Sequence, residues 1–468
     1  MHSRFAPSRP HLLASLVVAT AAVLGAVSAP TRAADDAAAG EVPPTSTLVA
    51  TARRAGLRVL EGDHLALATD RPIRSGNRSS GDGSSGDDID ALPRLFDEAF
   101  TAWCRHFRID PAEHRQWRAF GCLVVDRERF RAAGLLPDTL PDFANGFCDR
   151  DRFWMMDQSN PAYRRHLLLH EGVHAFTLTL RSLATPPWYT EGIAELLATH
   201  RLDASSGGFA PTPIPLRAGD VEQLGRIEAL RSLAAAGRPP GLEDVFATPA
   251  AGHHELQSYA ASWAAVAMLS RHPAHAQTFA AAERGPLDAS FTSRLTGSAG
   301  WNGPRAARDF AAFIDDVDYG YDFARSAVDW SPGSPLDSRR RIDIAADRGW
   351  QNTGCSLQAG RRYEFTATGR FTIGRLVATP PEQPTVLESE ADGISLRWYR
   401  GRPLGRLLVA QWVERPDGGG PPRFVTLATG GRAGFTAAAD GVAFARVNDP
   451  PGELADNAGG LLVEIAPE

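Results

Sequence analysis

The residues best suited to do chemistry are His170-Glu171-Gly172-Val173-His174. On a helix, positions four apart share a face one turn apart, so both imidazoles can point at one ion. Neutral imidazole suits Zn²⁺, and two such ligands plus a carboxylate leave one tetrahedral position for water. Glu171, next to the first histidine, can reach that water and take its proton. Leu167-Leu168-Leu169 before the pair and Ala175-Phe176 after it predict a buried helix, and no proline or charge interrupts the turn between the histidines.

A third ligand is available in Pro186-Pro187-Trp188-Tyr189-Thr190-Glu191-Gly192-Ile193-Ala194-Glu195. Two prolines close the first helix, and a new one is expected to start near Thr190 as N-cap. An antiparallel return places Glu191 opposite the two histidines. Glu195 follows one turn later on the same face, where it can accept the outer N–H of a ligand histidine. His166, one turn before His170, reads as a packing residue or as a further outer partner.

The combination HEGVH…PPWYTEGIAE resembles the gluzincin metallopeptidases, and among them the peptidase-MA-like group of bacterial exported proteins. The resemblance covers roughly residues 57–324 and is specific at the two motifs. It implies His170, His174 and Glu191 as zinc ligands and Glu171 as general base. It also implies a mixed sheet packed on the motif helix, with a helical lobe below. Peptide hydrolysis further needs a donor for the oxyanion of the tetrahedral intermediate. In related families a later Tyr or His supplies it, which here suggests Tyr259, with His253 and His254 as nearby alternatives. A core tyrosine with a satisfied hydroxyl is the other reading of Tyr259.

A second constellation lies near the C-terminus. Asp449, Asp456 and Asn457 bring side-chain oxygens around one turn, and the carbonyl of Glu453 can join them. Oxygen-only ligands on an irregular loop suit Ca²⁺; a Pro/Gly turn with Asx capping is the plainer alternative. This loop, with Gly349-Trp350-Gln351-Asn352-Thr353-Gly354 and Gly369-Arg370-Phe371, is similar to the bacterial galactophilic lectin fold over about residues 343–465. That resemblance implies a small β-sandwich with calcium on Asp449, Glu453, Asp456 and Asn457, Asp456 standing where the family has an asparagine. Residues 376–408 depart from the family's sugar-contacting segment.

Several elements must position these groups. Short strands are expected at Leu57–Leu60 and His64–Ala68, turning at Gly62-Asp63. A helix follows over about Ile89–Phe107, because Leu92, Leu95, Phe96, Phe100 and Trp103 recur at helical spacing. Buried strands are expected at Leu123–Val125 and Phe153–Met156. Helical spacing then marks Arg164–Leu180, Glu191–His200, Val221–Ala235, Tyr259–Ser270 and Ala306–Ile314. Past Trp330-Ser331-Pro332-Gly333-Ser334-Pro335 the apolar period changes to two, as in Arg362–Ala367 and Leu461–Ile465, a sandwich or barrel pattern. The expected organisation is multidomain α+β. Residues 1–33 are a signal peptide and 34–46 a flexible segment. Residues 47–160 form the N-terminal α/β part of a zincin-like domain, with a mobile loop at 75–88. Its helical catalytic part is 161–328, followed by a linker at 329–340. An all-β, jelly-roll-like, lectin-like sandwich occupies 341–468.

Composition agrees with an ordinary soluble protein: 43% hydrophobic and 22% charged over 468 residues. A net charge of -6 without a basic tract gives no nucleic-acid signal. Arg4, Arg9 and His11 precede an apolar run from Leu12 to Ala29, and Thr31-Arg32-Ala33 offers a cleavage site. This predicts a secreted or periplasmic, cell-envelope protein without a transmembrane segment after signal removal. Export permits disulfides among Cys104, Cys122, Cys148 and Cys355. Four cysteines allow three full pairings, among which sequence does not choose; Cys122–Cys148 is one candidate pair and buried free thiols are the alternative. The expected function is an exported zinc metallopeptidase acting on a peptide or protein substrate. Glu171 is its general base, a zinc-bound water its nucleophile, and the C-terminal module serves targeting or glycan binding. The alternative is a calcium-dependent carbohydrate-binding protein with an inactive zincin-like domain.

Overall fold

The structure, a computed structural model, describes residues 43–72, 89–221, 225–249, 255–376, 385–415 and 420–468. The expected leader 1–33, most of the flexible segment 34–46, the loop 75–88, His253 and His254 lie outside the described residues. The end of the expected flexible segment is helical instead: α1, Thr45–Arg54, includes Thr45 and Ser46. Leu48, Val49 and Ala52 give this helix a buried apolar stripe, enough to dock it on the following sheet.

The hairpin β1, Arg58–Glu61, and β2, Leu65–Thr69, comes next. It is followed by α2, Leu92–Phe107; β3, Ala119–Val124; α3, Arg127–Ala132; β4, Gly146–Asp149; and β5, Arg152–Met156. The sheet order is β1-β2-β3-β5-β4. β2, β3 and β5 are parallel; β1 and β4 are antiparallel and form the edges. Every residue of β2 and β3 is buried, because helices cover both faces. Leu65, Leu67, Leu123 and Met155 face the core shared with α2, while Ala66, Ala68, Phe120 and Cys122 join Leu48 of α1 and Phe130 of α3. β3 starts at Ala119 and stops before Val125, which is half exposed.

All four cysteines are free and buried. The expected pairing of Cys122 with Cys148 fails on geometry. β5 lies between their strands, a separation of about 10 Å where a disulfide needs Cα atoms within about 7 Å. The two also face opposite cores.

The helical part comprises α4, Pro161–Leu180; α5, Pro187–Ala198; a small hairpin of β6, His200–Leu202, and β7, Phe209–Pro211; α6, Arg226–Ala235; α7, Leu242–Ala247; α8, Leu256–Arg271; α9, Ala276–Arg284; α10, Phe291–Thr296; α11, Gly303–Asp316; and α12, Phe323–Ser326. α6 starts later than its periodicity predicts, because Gly225 at its N-cap is left-handed with φ 57°. α5 lies between α4 and α8. Gly192 permits the close approach of α5 to α8: a Cβ there would meet the Ser262 carbonyl oxygen at 2.5 Å and Val266 Cγ2 at 2.6 Å.

The C-terminal strands are β8, Ser334–Pro335; β9, Arg340–Ala345; β10, Gln351–Leu357; β11, Arg362–Thr368; β12, Phe371–Leu376; β13, Thr385–Ser389; β14, Ile394–Tyr399; β15, Arg402–Leu404; β16, Leu407–Val413; β17, Arg423–Thr429; β18, Arg432–Thr436; β19, Gly441–Val447; and β20, Asn457–Pro467. Two sheets, β17-β16-β19-β10-β8 and β13-β12-β20-β11-β18 with β9 beside β20, share one core. Pairing is antiparallel except where β8 meets β10 over two residues. The segment that reads as a linker is packed at its start. Trp330 sits with Trp412, Phe424 and Phe444, and its Nε1 donates to Asp309 Oδ1 of α11 at 2.7 Å. No helix among the described residues is long and apolar enough to cross a membrane.

Candidate metal centre

α4 is set by its own ends. Asn160 caps it by accepting from the Tyr163 N–H at 2.9 Å, and Pro161 occupies the first turn. His166, His170 and His174 then fall on one face, all buried. α5 starts at Pro187, a turn before the N-cap expected at Thr190, since proline at the first helical position has its φ already fixed. The Thr190 hydroxyl instead bonds that of Thr185 at 2.9 Å. The earlier start does not disturb the face that matters.

Three donor atoms converge between α4 and α5. His170 Nε2 lies 3.1 Å from His174 Nε2, and Glu191 Oε2 lies 3.4 Å and 3.5 Å from the two. Tetrahedral zinc with bonds of about 2.0–2.1 Å places neighbouring ligand atoms about 3.3 Å apart. The triangle fits that ion. Burial alone would raise the Glu191 carboxyl, but His174 and His170 outweigh it and hold the group well below its ordinary range.

Glu171 is fully buried, and neither of its oxygens has a hydrogen-bond partner among the described residues. It points at Gly146 of β4, where any Cβ would overlap its carboxylate. Burial pushes its carboxyl up to about 7, with Glu191 adding to the rise and His170 and His174 opposing it.

Behind the triangle, Glu195 Oε1 lies 3.1 Å from His170 Nδ1. Its other oxygen meets His166 Nε2 at 3.1 Å and the guanidinium of Arg226. Arg226 Nη2 also reaches His166 Nε2 at 2.9 Å. Burial draws the Arg226 guanidinium down to about 10, still charged at neutral pH, and Tyr163 and Tyr259 lie near enough to oppose the shift. Arg226 and Tyr163 escape the sequence reading. A single arginine opening a helix has no spacing to mark it.

Tyr259 lies in the first turn of α8, its ring centroid 6.2 Å from that of His170. His166, His170 and Glu195 also have the donor types for an ion of their own, but a cation already stands there in Arg226. A third group, His272, His275 and Asp309, sits elsewhere. Its carboxylate is taken by His275 at 2.8 Å and Trp330 at 2.7 Å.

In the C-terminal half the structure brings Asp449 and Asn457 together. Asn457 Nδ2 donates to Asp449 Oδ2 at 2.7 Å and to the Ala346 carbonyl at 3.1 Å. Asp449 Oδ1 and Asn457 Oδ1 are buried without a hydrogen-bond partner among the described residues. Burial lifts the Asp449 carboxyl to about 7; the Asn457 bond opposes this, and Glu453 and Asp456 raise it further. Glu453 and Asp456 are exposed, and the Glu453 side chain is engaged by Arg397 at 2.9 Å.

A scan against family models finds no match, and neither does a search of curated proteins. Among solved structures the chain is similar to one described as "EclA N-terminal domain; PllA-like lectin", at 20% identity and a TM-score of 0.19, over 28% of this chain and 98% of that one.

Proposed function

We propose that this chain is an exported zinc metallopeptidase of the gluzincin kind, with a zincin-like domain followed by a jelly-roll-like sandwich. His170, His174 and Glu191 are its zinc ligands and Glu171 is its general base. The observation that carries the reading is the triangle of buried donors, 3.1–3.5 Å on a side, beside a carboxylate without a hydrogen-bond partner among the described residues. Bound zinc lowers the pKa of a water and polarises a carbonyl. The chain's own groups do the rest. Glu171 takes a proton from the attacking water and passes it to the leaving amine. Burial raises its carboxyl, which makes it the stronger base. We assign the oxyanion donor to Tyr259, whose ring centroid is 6.2 Å from that of His170. β4 is an edge strand that carries Gly146 over Glu171, so an extended peptide added to that edge would run past the base.

The test is metal analysis of the purified chain, with hydrolysis of a peptide library by wild type and by Glu171→Gln. Stoichiometric zinc, and turnover lost in the variant and on chelation, is expected. A metal-free wild type, or equal turnover in both proteins, overturns the reading.

A second activity is supported by Asp449 Oδ1 and Asn457 Oδ1, two buried oxygens lacking a donor among the described residues. We assign them to Ca²⁺, with the Glu453 carbonyl and Asp456 completing the set, and the sandwich to glycan binding. Calcium is expected to raise the melting temperature of wild type but not of Asp449→Asn, and glycan-array binding is expected to vanish with chelator. Calcium indifference rejects this assignment without touching the zinc site.

A further inference from the structure

We infer that Arg226 is a positioning residue of the metal centre: its guanidinium fixes Glu195, and through Glu195 the ring of His170. This rests on the zinc reading above. The geometry is a chain of contacts running outward from the ion's position. His170 presents Nε2 to the triangle and Nδ1 to Glu195 Oε1 at 3.1 Å. Glu195 Oε2 then meets both Arg226 and His166. Every member is buried: His170 is 3% exposed, Glu195 5%, His166 3% and Arg226 9%.

Charge decides what this arrangement does. Glu195 and Glu191 are both buried acids facing the same two-helix seam, and two buried carboxylates repel. A carboxylate behind a ligand histidine orients the ring by facing its outer nitrogen. Arg226 supplies a fixed cation against the Glu195 oxygen that does not face His170, and so pins the carboxylate in place. His170 thereby keeps Nε2 turned toward His174 and Glu191. His166 Nε2 accepts from Arg226 Nη2, so the cation cannot shift without breaking its contacts to both His166 and Glu195.

The four residues come from three helices, α4, α5 and α6. Of these, α6 packs against α8, which carries Tyr259. One arginine therefore ties the ligand-bearing helices to the lobe that completes the site. A cation in this place also explains why His166, His170 and Glu195 would not take a second ion.

The measurement is zinc affinity of the full chain, stripped of metal and titrated against a chromophoric chelator, with cobalt absorption bands as a second readout. Arg226→Met is expected to bind zinc about 10–100-fold more weakly than wild type, with Arg226→Lys between the two. The effect should pass through Glu195. Arg226→Met added to Glu195→Gln is therefore expected to cost little beyond Glu195→Gln alone, whereas a merely structural role makes the two losses multiply. If Arg226→Met does not fold, Arg226→Lys in the same two backgrounds carries the comparison. Unchanged affinity in the Arg226 variants, or losses that multiply, overturns this inference and leaves the zinc reading standing. A wild type that takes no zinc overturns both.

Discussion

At Glu171 two influences oppose each other: burial favours the neutral acid, while the neighbouring histidines favour the anion. Such a group is costly to keep and is retained where it works. Replacing it with glutamine removes the base but keeps the shape. Glu171→Gln is therefore expected to lose about 10²–10⁴-fold in turnover. It should keep its zinc and melt no lower than wild type; a variant that loses metal would place Glu171 among the ligands instead. The motif was legible because helical spacing alone puts His170 and His174 on one face. Glu191 and Glu195 were legible because their spacing repeats that face on the next helix. Arg226 was not, since nothing local distinguishes it from the other arginines on helix ends. Only folding brings it onto Glu195.

Helix–helix geometry is where the elements leave least room. α5 approaches α8 over Gly192, and the nearest atom to an added Cβ is a backbone oxygen, which cannot swing aside. Gly192→Ala is expected to destabilise the chain by about 1–3 kcal/mol or more by overpacking, although alanine is the better helix former. Because Glu191 is the adjacent residue, zinc affinity should fall with stability. Urea unfolding of the metal-free and zinc-loaded variant checks both, and an unchanged midpoint would show that the helices can part.

α11 offers a pH test. Asp315 lies in its last turn, and its carboxyl is raised to about 6 by burial first and by Asp316 second, against the pull of Arg400. A raised carboxyl favours the protonated fold. Its contribution is thus fully present below about 4, the unfolded value, and is lost as pH rises through 6. Asp315→Asn should then stabilise by up to about 2–3 kcal/mol at pH 8 and by almost nothing at pH 4. Melting temperatures across that range decide, and a gain independent of pH rejects the cause. Longer elements such as α2, α4 and α8 were readable from apolar period. The short α1 and α3 were not, because too few turns fall within a period to reveal a stripe.

Across the whole molecule the seam between the helical part and the sandwich is the feature least visible in sequence. Trp330 opens a stretch rich in Pro and Gly, which reads as a spacer. In space it joins Trp412, Phe424 and Phe444 against Ala312 and Val328. Its partners are distant in the chain, so no window of sequence contains them. Beside this apolar patch lies a buried ion pair. Arg446 Nη1 meets Asp316 Oδ2 at 2.5 Å, and Arg446 Nη2 holds the Asp449 carbonyl at 2.6 Å. Asp316 Oδ1 also faces Arg400 at 3.2 Å. One carboxylate on α11 thus neutralises two guanidinium groups of the sandwich.

The two ends of this network should respond unequally. Removing Asp316 leaves two cations facing each other, one of them fully enclosed, so Asp316→Ala is expected to cost about 3–5 kcal/mol. Arg446→Met leaves Asp316 its second partner and keeps apolar bulk in place, so its cost should be smaller. In the double variant the stranded Arg446 charge is gone, and part of the Asp316→Ala loss should return, because trading a buried ion pair for apolar groups is often close to neutral. Urea unfolding of the four proteins measures the coupling directly. If the double variant is as unstable as the sum of the singles, the seam is held by its tryptophans and not by charge. Asp449 adds a second readout, since Arg446 fixes its carbonyl. Arg446→Met should therefore also weaken the calcium response of the sandwich, while zinc binding between α4 and α5 stays as it was.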